Sequence, residues 1–523
     1  MKRSTYLILF GLALLVGAGV VALQPHPGYM DAQYYYAGAL RLAAGQGFTE
    51  PYVWNYLGDL GELPQPSHGY WMPLTSLVAL LGLKLAPFLA AFTAARIGIL
   101  LVMALIAPLT AALTFQLNKR RDLALIAGLL AVFSGLYLPF LTTTDAFGIY
   151  MLLGAGFFLL LGRDDVFLKS NWHVLGLGAL AGLFHLARAD GGLWLGVALA
   201  AIALKWLVSE GGRGAKFRQL LVGSVLVGVG YGVVMGPWLL RNLNVFGTLL
   251  APGGSRALWV LNYDELFIYP PERLTMARWW ESGLGVILAA RWEAFKVNFG
   301  TLIGVEGYVF LFPLLLAGAW VERTDRRVQI GALAYGLTFA VMTLVFPYSG
   351  GRGGLFHSGA ALQPLLLALA VIGLDHALGW MGQKRGWNVR QARVVFGSAL
   401  VVFAAALSGY AVVNQVLPEC TEMQGSYQDF EAALIEFGAG PEDVVIVNNP
   451  PGYYLATGRS AIVIPYGSPE DLLELAERYH AEYLILEIPQ PGLEELYTDP
   501  GDREGYAYLG EVGMAHIYRV DAE

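Results

Sequence analysis

Eleven apolar runs, each close to the roughly 20 residues that cross a bilayer as a helix, constrain this 523-residue chain more than any other feature. They read as spans at 6–23, 94–117, 123–141, 144–161, 173–189, 191–208, 219–240, 299–320, 328–346, 358–378 and 394–413. Charged residues make up 14% of the chain, against about 25% in an ordinary soluble domain. With a mean hydropathy of +0.54, the chain reads as a polytopic α-helical membrane protein with about 11 transmembrane helices. The first run follows Lys2 and Arg3 as a signal peptide would. Its apolar core is long and no A-x-A site follows, which favours an uncleaved anchor. A single cysteine, Cys420, excludes an intramolecular disulfide, a cysteine-based zinc site and an iron–sulfur cluster.

The apolar stretch Pro73–Ala90 is short, bracketed by Pro73 and Pro87 and interrupted by Lys84. It reads as an interfacial or re-entrant element. The charges then sort by side: 17 Lys and Arg fall in short segments at Lys2/Arg3, Lys119–Arg121, Arg163/Lys169, Arg213/Lys216/Arg218, Arg323/Arg326/Arg327 and Lys384/Arg385/Arg390/Arg393. The positive-inside bias therefore predicts a cytoplasmic N-terminus and an extracytoplasmic C-terminus.

Residues 1–413 then form the transmembrane domain, with a first outer loop at 24–93 and a long outer loop at 241–298. The first loop opens with PGYMDAQYYYAGALRLAAGQG, whose Tyr29, Tyr36 and Leu40 recur at helical spacing. This predicts an amphipathic helix lying at the membrane surface. From residue 414 onward the chain carries 21 acidic and 4 basic residues. Runs at 443–449, 461–466 and 481–487 read as strands, and 469–480 reads as a helix N-capped by Ser468. Residues 414–523 thus read as an extracytoplasmic α/β domain.

Ionisable residues at membrane depth are costly and become functional candidates. Asp31 lies just beyond the first span, beside Tyr35 in a run of three tyrosines. It reads either as a helix N-cap or as a functional carboxylate, and the two roles are compatible. Asp145 occupies a turn too short to leave the membrane surface, so it shares a level with Asp31. It too reads as a cap or as a second site carboxylate. In HLARADGG, Arg188 and Asp190 form either a structural pair or a supporting part of the site. Lys84, Arg241 and Arg352 each read as a snorkelling cation or as a phosphate ligand, and His357 shares the Gly-rich loop of Arg352. No G-x-x-x-x-G-K-[ST], H-E-x-x-H or G-x-S-x-G motif is present, so ATP hydrolysis and the usual protease chemistries lack support.

The order GYMDAQYYYAGALRLAAGQGF, HGYWMPLTSLVALLGLKL, AARIGILLVMALIAPL, then HLARADGG, PWLLRNLNVFG and RGGLFHSGAALQP resembles that of the GT-C glycosyltransferases. The likeness is to the protein O-mannosyltransferase and lipid A aminoarabinose transferase superfamily, in its prokaryotic branch, and covers about residues 1–410. It implies a sugar donor on a polyprenyl phosphate or diphosphate and an acceptor lipid, glycan or protein on the outer face. It implies that Asp31 is the catalytic carboxylate, with Asp145 the second acidic residue by topology. Lys84, Arg241, Arg352 and His357 would hold the donor phosphate. No cofactor is implied with certainty, and a divalent metal on Asp31 and Asp145 is left open. Asp31 is followed by Ala32, unlike relatives with an Asp-Glu pair. The expectation is a membrane-embedded inverting glycosyltransferase, and the rivals are a transporter or flippase of lipid-linked sugars and a non-catalytic scaffold.

Overall fold

The computed structural model describes the chain except residues 59–60, 163–169, 209–211, 252 and 522–523, with the backbone alone at 208 and 416–425. The basic pair Arg163/Lys169 and the side chain of Cys420 lie outside the described residues. Helix α1 (Arg3–Leu23) leads into the segment that the charge pattern expects outside, the first outer segment, which holds α2 (Met30–Ala43), the short strands β1 (Thr49–Glu50), β2 (Tyr52–Val53) and β3 (Gln65–Pro66), and α3 (Leu74–Leu85). The bundle continues with α4 (Ala91–Asn118), α5 (Arg121–Phe133), α6 (Phe147–Leu161), α7 (Asn171–Ala187), α8 (Leu193–Val208) and α9 (Arg213–Phe246).

Among the described residues, seven helical runs are long and apolar enough to cross a membrane: Arg3–Leu23, Ala91–Asn118, Ala189–Leu207, Arg213–Phe246, Arg326–Val345, Gly354–Arg385 and Val389–Gln415. The helices Phe147–Leu161 and Phe312–Val321 are apolar but shorter. So is α3, whose 12 residues extend about 18 Å at 1.5 Å per residue, too short to cross the hydrocarbon.

Two expected spans are broken. The run 123–141 stops being α-helical at Phe133, because Ser134 and Gly135 both turn left-handed (φ 58°). Two 3-10 turns, Gly135–Tyr137 and Phe140–Thr142, then carry the chain to Asp145. The run 299–320 divides into a π-helical turn, Thr301–Glu306, and the helix Phe312–Val321, with Tyr308 and Val309 at positive φ between them. Within the expected long outer loop 241–298, α9 runs on to Phe246 and Gly283–Gly300 is helical. Helix α2 differs from the surface helix that its periodicity predicts. Residues 32–39 and Arg41 are all buried. Strand β1, α3 and the tail helix Pro450–Thr457 pack around it.

The tail folds as a six-stranded sheet in the order β2-β5-β4-β6-β8-β7, with β4 (Val444–Val447), β5 (Ala461–Val463), β6 (Ala481–Leu486), β7 (Tyr506–Val512) and β8 (Ala515–Val520). Strands β5, β4 and β6 run parallel and the C-terminal hairpin adds antiparallel. The helix Pro469–Tyr479 carries the expected cap, with Ser468 and Asp471 in a reciprocal capping box. The first outer segment contributes the edge strand β2, parallel to β5. A bidentate Arg273–Asp471 pair (2.8 and 2.7 Å) and the Tyr466 N–H to Phe267 C=O bond tie the long outer loop to the same sheet.

Candidate active site

Three separate segments meet at one end of the bundle, the end that carries α2 and the tail. Helix α2 begins after an extended Tyr29, which puts Asp31 in its first turn, where the helix dipole favours a carboxylate. The second segment is the Thr142–Asp145 turn, created by the early end of α5. Its four residues are fully buried, Asp145 being 1% exposed. Thr144 ties the turn to α2 by donating to the Ala32 carbonyl at 2.7 Å. The Tyr29 hydroxyl donates to Asp145 Oδ2 at 2.6 Å, and Oδ1 accepts the Ala146 N–H at 2.5 Å.

The third segment is the helix Gly354–Gly359, entered through Gly353 at φ 95°, a conformation that suits glycine. Its His357 ring stacks on Phe147 with centroids 3.9 Å apart. His357 Nδ1 lies 3.0 Å from the Gly353 carbonyl, which can only accept, so this nitrogen donates. Nε2 therefore turns inward, 3.5 Å from Asp145 Oδ2 and 3.9 Å from Asp31 Oδ2, without a hydrogen-bond partner. One ligand-capable atom from each residue lies within 4.8 Å of the other two. Three electron-rich atoms facing one another call for positive charge, and a proton or a divalent cation on the imidazole side supplies it. Two oxygens and one nitrogen suit a metal with open positions, so the residues fit a cation.

The carboxylates are driven apart in acidity. Asp31 is pushed up to about 6, by burial first and by the charge of Asp145 second, against the pull of His357 and Arg188. Burial also works to raise Asp145, but His357, the Tyr29 hydroxyl and the Ala146 N–H outweigh it and hold the acid below its usual range. Environments that separate two neighbouring acids mark out one as proton acceptor and the other as permanent anion.

Beside this cluster lies a cavity of about 330 Å³, lined by Tyr35, Trp71, His185, Arg188, Asp190 and Asn242 among others. Arg188 and Asp190 pair at 2.9 Å, and Ser358, next to His357, donates to the other Asp190 oxygen at 2.5 Å. Both residues of the pair are largely buried and line the cavity.

The expected phosphate ligands part company. Arg352 is exposed, sits 4.0 Å above the Tyr263 ring and makes no ion pair with a carboxylate among the described residues. Arg241 is committed to the protein: it donates to the Ser67 carbonyl at 2.8 Å and to Asn242 at 3.1 Å, and lies over Trp238 and Phe246. Lys84 is not brought to the cluster. Its ammonium reaches the Ala43 carbonyl at 3.5 Å, at the far end of α2, about 18 Å along the helix from Asp31 at 1.5 Å per residue. Tyr29 and Ser358 are the site residues that sequence reasoning missed. Tyr29 lies two positions before Asp31, and a hydroxyl there was the available signal.

No protein-family model and no curated protein sequence matches the chain. Solved structures do. ArnT from Cupriavidus metallidurans bound to undecaprenyl phosphate is 13% identical with a TM-score of 0.58, the match covering 99% of this chain and 98% of that one. The Archaeoglobus fulgidus oligosaccharyltransferase in complex with zinc and sulfate is 14% identical with a TM-score of 0.57, covering 96% and 71%. The archaeal oligosaccharyltransferase AglB from Archaeoglobus fulgidus, in complex with an inhibitory peptide and a dolichol-phosphate, is 13% identical with a TM-score of 0.50, covering 92% and 69%. The chain shares the fold of these structures, and its seven long apolar helical runs among the described residues suit an integral membrane protein.

Proposed function

We propose that the chain is an inverting glycosyltransferase that takes a sugar from a polyprenyl-phosphate or diphosphate donor and attaches it to an acceptor hydroxyl on the outer face. The observation that carries this reading is the Asp31–Asp145–His357 cluster beside the cavity, on a fold whose solved examples hold undecaprenyl phosphate and dolichol-phosphate. A phosphate-linked sugar is already activated, in keeping with the missing nucleotide-binding motif. In this mechanism Asp31 accepts the proton of the acceptor hydroxyl as its oxygen forms a bond to C1. The C1–O bond to phosphate breaks on the opposite face, through a transition state resembling an oxocarbenium ion. Asp145 stays anionic, fixed by Tyr29 and the Ala146 N–H, and offsets positive charge on the sugar ring.

The leaving phosphate gains negative charge, and in this reading Arg352 and Arg188 are the cations that receive it. Arg241 instead holds the first outer segment against α9. Asp31, Asp145 and His357 would hold a divalent cation, which would supply Lewis-acid stabilisation of developing negative charge. Asp31→Asn tests the reading in purified protein given polyprenyl-phosphate sugars. It should keep donor binding and lower turnover by roughly a hundredfold or more, the usual range for a lost general base. Wild-type turnover in that variant would end the assignment. A transporter would instead leave the donor bond intact in every assay.

A further inference from the structure

A second cavity, of about 300 Å³, lies where the tail sheet meets the long outer loop. Its tail-side lining comes from residues at and just beyond the carboxyl ends of three parallel strands: Asn448 after β4, Tyr466 after β5, and Gln490 after β6. The chain leaves β4 through the helix Pro450–Thr457 to reach β5 on one side, then crosses through the helix Pro469–Tyr479 to β6 on the other. Connections thus depart in opposite directions from the β4/β6 boundary. A crevice outside the carboxyl ends at such a reversal is where open α/β sheets take ligands. Here Gln490 Nε2 donates to Asn448 Oδ1 at 3.2 Å across that boundary.

The opposite wall is Tyr263, Asp264 and Phe267 of the long outer loop. Tyr263 faces two ways. It lines this crevice, its ring carries the Arg352 guanidinium, and its hydroxyl feels the charge of Asp31. Tyr263 thus joins the crevice to Arg352, the cation proposed for the leaving phosphate.

We infer that this crevice binds the acceptor, and that the acceptor is an uncharged, hydroxyl-rich glycan. This rests on the glycosyltransferase reading. Three aromatic rings offer flat apolar faces for the C–H side of a sugar ring, while Asn448, Gln490 and Asp264 offer both donors and acceptors for hydroxyls. Among the described residues that line it there is no Lys or Arg, and Asp264 repels anions, which argues against a phosphate or nucleotide. A peptide would add to an open strand edge, whereas the β5 edge is already covered by β2 and the crevice lies at strand ends. The volume is at the small end of ligand pockets, which span about 300–1,000 Å³, fitting a small sugar unit.

The test uses the full chain in detergent and saturation-transfer NMR with a panel of neutral disaccharides, alongside inorganic phosphate and a mixed peptide pool. At least one disaccharide should bind, and Tyr466→Ala and Gln490→Ala should each weaken it by roughly tenfold, through a lost ring face or lost hydrogen bonds. Binding of the lipid donor, measured separately on the same preparations, distinguishes a local loss at the crevice from a general loss of fold. Gln490→Ala keeps every ring of the crevice and removes one amide and its bond to Asn448, so it reports even where loss of the Tyr466 ring disturbs the docking. The inference is overturned by a wild-type chain that binds none of the panel, by disaccharide binding unchanged in both variants, or by preference for phosphate or peptide. Variant-sensitive disaccharide binding by a chain that never releases lipid phosphate keeps the glycan site and removes the transferase reading beneath it.

Discussion

At the scale of single residues, the same chemistry is distinguishable from ordinary membrane-edge behaviour. If Arg352 receives the leaving phosphate, its planar fork matters as well as its charge. Arg352→Ala should lower kcat/KM for the lipid donor by roughly tenfold or more, since a charge-assisted bond is worth about 1.5–3 kcal/mol. Arg352→Lys should recover only part of that loss, whereas a cation that merely snorkels would be replaced fully by lysine. Steady-state kinetics of the pair in one preparation separates the cases. Glu50 makes a different prediction, about stability. It is 4% exposed, one oxygen accepts from Gln65 at 2.9 Å, and the other has no partner. Burial pushes this acid up to about 8, against the pull of nearby Tyr34 and Gln65 and the charges of Arg241 and Arg41. The folded state therefore holds a proton that the unfolded chain releases near pH 4.5. The contribution is complete below that pH and is lost as pH rises toward 8, by on the order of 4–5 kcal/mol in all. Thermal unfolding should shift to lower temperature between pH 5 and 9, and Glu50→Gln should flatten that slope. An equal slope in the variant would mean that Glu50 does not govern it.

Among elements, the site depends on helices held closer than ordinary side chains permit. Gly178 on α7 and Gly230 on α9 face each other's backbones: a Cβ on Gly178 would lie 2.1 Å from the Val227 carbonyl, and one on Gly230 would lie 2.1 Å from that of Leu175. Small residues at such crossings are how membrane helices approach one another. The outer ends of the same two helices carry His185 and Asn242 to the cavity wall, with Arg188 capping α7. Gly178→Val should force the pair apart, cost about 1–3 kcal/mol and lower activity, although residue 178 touches no candidate catalytic group. Thermal stability in detergent together with turnover checks this, and a variant as stable and active as the wild type would show the crossing to be slack. These elements also explain what the sequence could reveal. Apolar length made most of the spans legible, and the Ser468 cap made the tail helix legible. Breaks at Ser134–Gly135 and after Thr301 were not, because they rest on φ angles and packing inside runs that stay apolar. Helix α2 looked amphipathic for the same reason: periodicity shows which face is apolar, but not that β1, α3 and the tail helix Pro450–Thr457 pack around the rest. At the site, Asp31, Asp145, Arg188 and Asp190 were legible as charges at one membrane level. The meeting of His357 with the two carboxylates required a fold that joins positions more than 200 residues apart.

For the whole molecule, charge and topology together argue which side faces out. At one end of the bundle Arg393 pairs with Asp375 at 2.5 Å and with Asp122 at 3.2 Å, and Arg120 reaches Asp375 at 3.4 Å, gathering the basic segments around 120 and 390. The 28-residue α4 puts about 42 Å, at 1.5 Å per residue, between that end and the first outer segment. The acidic tail belongs to the opposite end by construction, because its sheet contains β2 of the first outer segment and the two cannot lie on different sides. A tail with 21 acidic and 4 basic residues resists insertion, and the basic end is the one retained in the cytoplasm. The expected orientation is therefore tail and candidate active site outside. Cysteine labelling tests it after Cys420→Ser removes the native thiol. Met514→Cys, in the exposed β7–β8 turn (78% exposed), should react with a membrane-impermeant maleimide on intact spheroplasts. Arg323→Cys, at an exposed position of the basic end, should react only after the membrane is opened. The reverse pattern would put the cluster, the cavity and the glycan crevice on the cytoplasmic side. Labelling of both positions in sealed spheroplasts would break the link between the bundle and a membrane-spanning arrangement.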